Sequence, residues 1–153
     1  MVTLALYKGK GTLANAFIRL WTGSPYSHCE IVVDGWCYSS SVMDKGVRRK
    51  LIDLNSGNWD FVVLPWVDPE MVRDYFDKTD HLAYGWSGLV TSQLFNLGLS
   101  SSKAQFCSEW CASALQIPNP SAYSPQTLYE LCGFANELTA WSGFFTPGEK
   151  HGT

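Results

Sequence analysis

The chain has 153 residues, 46% of them hydrophobic and 14% aromatic, which suits one domain with a single sizeable core. Charged residues make up only 16%, against roughly 25% in an average soluble chain, so some aromatic surface is left to line a cleft or meet a protein partner. The formal net charge is −3 with no basic run, which excludes the positive stripe that non-specific nucleic-acid binding requires.

No apolar stretch approaches the ~20 residues of a spanning helix. The opening MVTLALYKGKG lacks the basic n-region and the apolar length of a signal peptide. A cytoplasmic setting is therefore expected. Five cysteines, Cys29, Cys37, Cys107, Cys111 and Cys132, form no disulfide framework and are expected as reduced thiols.

Val2 to Tyr7 reads as a short strand ended by Lys8-Gly9-Lys10-Gly11. Thr12 then caps an expected helix with Leu13, Phe17, Leu20 and Trp21 on one face, broken by Gly23-Ser24-Pro25. His28 to Val33 is the next strand, Asp34-Gly35 a hairpin turn, and Trp36 to Val42 the return strand. Asp44-Lys45-Gly46 marks a second turn, followed by strands over Val47 to Leu54 and Trp59 to Leu64.

The second half turns helical. Asp68-Pro69-Glu70 opens a helix that should run to about Lys78. Another spans roughly Gly88 to Leu97, and the polar stretch Leu99 to Lys103 reads as a loop. A third covers Cys107 to Leu115, stopped by Pro118 and Pro120, and a fourth Gln126 to Cys132, ended by Gly133. The expected class is α+β, a small antiparallel sheet packed against helices. One domain is expected over residues 1–145, with a loose tail over 146–153.

Two segments carry chemistry: Tyr26-Ser27-His28-Cys29-Glu30 and Phe106-Cys107-Ser108-Glu109-Trp110. A cysteine in the first turn of a helix gains from the positive helix end, and an adjacent imidazolium lowers the thiol pKa further. Backbone N–H groups of that same turn could hold an oxyanion. Cys107 is thus the candidate nucleophile. His28 is the candidate base, because it begins a strand, whereas His81 sits between helices and His151 in the tail.

A third group should orient the imidazole. Strand periodicity sets Glu30 on the same face as His28, and the hairpin sets Ser39, Ser40 or Ser41 across from it. Either class fits, with Glu30 preferred. Glu109, two positions after Cys107, points off the thiol's face and reads as structural. Cys107 and Cys111 share a helical face and with His28 and Cys29 could form a zinc site, but no C-x-x-C pair supports it. No metal or cofactor is expected.

Tyr26-Ser27-His28-x-Glu-Ile-Val-Val, a hairpin, Gly46-Val47-Arg48, Tyr84-Gly85-Trp86, Phe106-Cys107-Ser108-Glu109-Trp110 and Ser124-Pro125-x-x-Leu128 together resemble the circularly permuted NlpC-type papain-like superfamily. The pattern is that of its YiiX/YaeF-like branch, which has phage-encoded members among its relatives. The resemblance implies a permuted papain-like fold with the histidine strand ahead of the cysteine helix, Cys107 as nucleophile and His28 as base. It implies a cysteine peptidase or amidase acting on a peptidoglycan stem peptide or related amide. It also admits an acyltransferase with an amine or lipid acceptor, or a papain-like domain kept as a binding module. A phage product would work in the host cytoplasm or the virion. In many relatives the third polar residue is an acid on the strand after the histidine strand. Here that strand, Trp36-Cys37-Tyr38-Ser39-Ser40-Ser41, has none.

Overall fold

The structure is a computed structural model that describes residues 1–9, 24–41, 44, 46–80 and 102–144, with the backbone alone for 102–106 and 142–144. The expected helices at 12–22 and 88–97, Tyr84-Gly85-Trp86, His81, His151 and the tail lie outside the described residues. What is described is α+β.

Five strands form one antiparallel sheet: β1 (Val2–Tyr7), β2 (His28–Val33), β3 (Trp36–Ser41), β4 (Gly46–Lys50) and β5 (Trp59–Leu64). Their spatial order is β4-β3-β2-β1-β5. The β2–β3 hairpin turns at Asp34 and Gly35, both with positive φ (50° and 81°). That is the pairing a two-residue hairpin turn demands, and Gly35 meets it without a Cβ clash. β1 lies at the centre of the β2–β1–β5 group, with Leu4 opposite Ile31 on one side and Val62 on the other.

β4 stops at Lys50, short of the expected Leu54. Leu51 is exposed, and the Asp53 carboxylate accepts the N–H of Asn55 at 3.0 Å. That local turn takes the backbone out of the ladder.

Three helices follow: α1 (Pro69–Asp80), α2 (Ser102–Ala114) and α3 (Pro125–Phe144), with a 3-10 turn at Pro120–Ala122. Asp68 caps α1 by accepting the Glu70 N–H at 3.0 Å, and Pro69 takes the first helical position, where its missing N–H costs nothing. Ser124 and Thr127 cap α3 reciprocally, Thr127 N–H to Ser124 Oγ at 3.2 Å and Ser124 N–H to Thr127 Oγ1 at 2.9 Å.

Two helix boundaries differ from the sequence expectation. α3 runs through Gly133 to Phe144 instead of ending at the glycine. One glycine costs a helix only ~1 kcal/mol, and tertiary bonds offset it. Asn136, one turn on, donates to the Val63 carbonyl at 2.7 Å and accepts from Trp66 Nε1 at 2.8 Å. α2 begins at Ser102, so Ser102 and Lys103, expected in a loop, are helical. Lys103, Ala104 and Gln105 are strong helix formers, and no proline or glycine intervenes.

One face of the sheet makes the core. Leu4, Leu6, Cys29, Ile31, Val33, Tyr38 and Leu64 join Val72 and Phe76 of α1, Trp110 and Cys111 of α2, and Leu128 and Cys132 of α3 in a single buried cluster. Tyr38 meets Phe76 edge-on, ring centroids 5.2 Å apart, which ties β3 to α1. Trp110 is fully buried and donates to Thr79 Oγ1 at 3.1 Å, which ties α2 to α1.

Candidate active site

His28, Glu30 and Val32 point to the other face of β2, because side chains alternate along a strand. The register sets Ile31 opposite Tyr38, and Tyr38 opposite Arg49. Glu30 and Arg48 therefore share that second face, with Ser39 opposite Arg48 on the strand between them. His28, at the first position of β2, presents its ring at the end of the strand. There it meets the Cys107 thiol of α2, within hydrogen-bonding reach.

Glu30 is bonded to His28: Nε2 lies 2.6 Å from Oε1. With Nε2 taken, Nδ1 is the ring nitrogen left for the thiol. Of the two classes of orienting residue expected, the structure places Glu30 on the ring. Ser39 donates its hydroxyl to the Cys29 carbonyl at 2.8 Å, so it steadies the backbone beside His28. Ser40 is buried, and Ser41 ends β3 half-buried.

Arg48, to which sequence reasoning gave no role, grips Glu30 from the far side. Nη1 donates to Oε2 at 2.6 Å and Nη2 to Oε1 at 2.5 Å. Arg48 Nε donates to Asp44 Oδ2 at 2.8 Å, and Lys50 Nζ donates to the same oxygen at 2.8 Å. An arginine two residues past a turn has no periodic signal of its own. Its role appears only when the β3–β4 register is known.

The electrostatics follow from these contacts. Burial opposes a charge on Glu30, but Arg48 and then His28 outweigh it and hold the carboxyl below its usual range. Burial likewise opposes the imidazolium, yet the Cys107 thiolate and Glu30 raise His28 to about 10. Cys107 is held well below an ordinary thiol despite burial, by the Cys29 thiol, the His28 ring and the Cys29 backbone N–H. Cys29 itself is pushed up by burial and stays a thiol, able to donate. Its sulfur also lies 3.8 Å from that of Cys111.

The source of this activation differs from expectation. Cys107 lies in the second turn of α2, not at its N-terminus. Its amide is inside the helical ladder, so neither the helix end nor first-turn N–H groups act on the thiol. His28 and Cys29 stabilise the thiolate instead.

Cys107 is fully buried, while the His28 side chain is 24% exposed, so the pair meets solvent on the imidazole side. The hydroxyl of Ser27, the residue before His28, is buried without a hydrogen-bond partner among the described residues. Glu109 is half-buried, and burial raises its carboxyl pKa. A groove of about 400 Å³ between α1 and the end of α2, lined by Asp68, Glu70, Asp74 and Lys78 among others, includes none of the three site residues. Among the described residues no group of three or more His, Cys, Asp or Glu is placed to hold a metal ion. No helix among them is long and apolar enough to cross a membrane.

No family model, curated protein or solved structure matches this chain. Its chemistry is read from its own side chains.

Proposed function

We propose that the protein is a cysteine hydrolase that cleaves an amide bond through a thioacyl-enzyme. The observation that carries the reading is the continuous contact from Cys107 through His28 to Glu30. A thiolate beside an imidazolium whose far nitrogen is held by a buried carboxylate is the arrangement amide cleavage by cysteine needs.

Cys107 Sγ attacks the carbonyl carbon, and the π electrons move onto oxygen. As the tetrahedral intermediate collapses, His28 Nδ1–H passes its proton to the departing amine. Water then attacks the thioester, His28 takes its proton, and the acid leaves as the thiolate is restored. Glu30 stays ionised throughout and holds Nε2–H.

The sequence resemblance makes a peptidoglycan stem peptide, or a related peptide amide, the substrate class, on a permuted papain-like fold. The test is to incubate the chain with synthetic stem peptides and look by mass spectrometry for cleavage and for an acyl adduct on Cys107. Cleavage lost in both Cys107→Ala and His28→Ala supports the reading. Cleavage that survives Cys107→Ala overturns it.

A second reading, a papain-like domain that binds without catalysis, is favoured by one observation: Cys107 has no exposed surface. It predicts that iodoacetamide labels Cys107 no faster than an ordinary buried thiol.

A further inference from the structure

Hydrolysis through the Cys107–His28 pair requires two anions around one imidazolium. Glu30 is fully buried on one side of the ring with its carboxyl held below the usual range, and the fully buried Cys107, held well below an ordinary thiol, is on the other. One cation cannot balance two buried anions, and without further help one of them must take up a proton. The charge that resolves this is next to Glu30.

We propose that Arg48 is a positioning residue for His28, acting through Glu30, and the second cation that lets Glu30 and Cys107 be ionised together. The inference rests on the hydrolase reading for its consequence but on distances for its geometry. Both carboxylate oxygens of Glu30 accept from the guanidinium, at 2.6 and 2.5 Å. That fork fixes the plane of the carboxylate. Oε1 then receives two donors, Arg48 Nη2 and His28 Nε2. A carboxylate can only accept, so Nε2 must carry a hydrogen and Nδ1 must be the nitrogen that trades a proton with sulfur.

The clamp is anchored from behind. Asp44 holds Arg48 Nε, and Lys50 holds Asp44 in turn. Arg48 is 14% exposed, so solvent does little to replace its charge.

The described groups that act on the charge of His28, Cys107 and Glu30, include no cation. On β2 the neighbours are Glu30 and Cys29. On β1 Tyr7 lies opposite His28. On β3 Cys37 is pushed up to about 11, chiefly by burial, and stays neutral. On the helices the neighbour is Cys107, while Cys132, raised to about 12 chiefly by burial, stays neutral.

The test is the pH dependence of Cys107 alkylation by iodoacetamide, read together with the ring 15N signals of His28. It compares the full chain with Arg48→Met, Arg48→Lys, Asp44→Asn and His28→Ala. In the wild type both ring nitrogens should carry hydrogen at neutral pH. In Arg48→Met the alkylation rate at neutral pH should fall by about tenfold or more, its midpoint should rise, and the ring signals should shift. Arg48→Lys, with charge but no fork, should recover part of the rate. Asp44→Asn, which keeps the fork and loosens its anchor, should shift both readouts less and in the same direction, and it serves if Arg48→Met does not fold. Rates and ring signals unchanged in the folded Arg48 variants overturn the proposal, as do rates and signals unchanged in Asp44→Asn if those variants do not fold. If the wild-type thiol reacts no faster than in His28→Ala, the hydrolase reading fails instead, and the clamp is judged on the ring signals alone.

Discussion

Glu30 holds His28 from the same strand, two residues on, with Oε1 2.6 Å from Nε2 and no surface exposed to solvent. An orienting carboxylate on the histidine's own strand needs no second element to be in register. Local backbone geometry alone sets the pair on one face. The neighbouring strand carries serines, and Ser39 among them bonds to the Cys29 carbonyl, not to the ring.

Glu30→Gln tests this relationship directly. The amide keeps the shape but removes the charge that the Arg48 fork and the His28 ring share, leaving Arg48 paired with Asp44 alone. Hydrolysis at neutral pH should fall on the order of 10²-fold, as expected for impaired general acid–base chemistry. Urea unfolding should show a loss of roughly 2 kcal/mol, because charge-assisted bonds between Arg48 and a buried carboxylate are lost while Asp44 still pairs the cation. Unchanged turnover would remove Glu30 from the site.

Acid should destabilise the clamp in a defined window. Asp44 is lowered to about 2: burial opposes this, and Lys50 and Arg48 outweigh it. Glu30 is lowered as well. Groups with depressed folded values contribute stability above their unfolded values near ~4 and lose it as pH falls through the folded value. The melting temperature of wild type should therefore drop between about pH 4 and pH 2. In an Asp44→Asn, Glu30→Gln double variant the drop over that window should be smaller. Equal slopes would show that other carboxylates govern acid unfolding.

Trp110 should matter through its polar atom as well as its bulk. Its indole N–H donates to Thr79 Oγ1 at 3.1 Å inside the core, and its ring lies 5.6 Å from that of Tyr75. Trp110→Phe should cost about 1–3 kcal/mol in chemical denaturation, with Thr79 losing a donor and the core some volume. Thr79→Val should cost about as much, since it leaves the buried indole N–H without its acceptor and also removes the hydroxyl's bond to the Tyr75 carbonyl at 2.8 Å. No loss in Thr79→Val would mean that the indole N–H finds another acceptor.

Asn136 should decide how far α3 extends. Removing its amide in Asn136→Ala strips the Val63 carbonyl and the Trp66 indole of their partners. A loss of about 1 kcal/mol is expected, with faster hydrogen exchange confined to the residues after Gly133. Exchange that is unchanged there would show that helix propensity alone carries the helix past the glycine.

Much of this fold was legible before any coordinate. The β1, β2 and β5 boundaries follow from β-rich runs bounded by turn residues. The β2–β3 turn follows from Asp34-Gly35, and the start of α1 from Asp68-Pro69. Each of these signals acts between residues close in the chain. Gly133 misled for the same reason: its local cost is real, but the bonds that offset it come from Val63 and Trp66, far away in sequence.

The site divides along the same line. His28 and Glu30 sharing a face is a property of any strand, so the sequence alone determined that placement and singled out Cys107 as a candidate. The contact between Glu30 and the ring came from the structure. What only the tertiary structure decided is which groups tune them. Cys107 lies one turn inside its helix, so Cys29 and His28 take the place of the helix end. Arg48 reaches Glu30 only because β3 sets β4 in register across the sheet. Electrostatic tuning in a buried site depends on distances of a few ångströms between elements, and those distances are set by packing rather than by spacing along the chain.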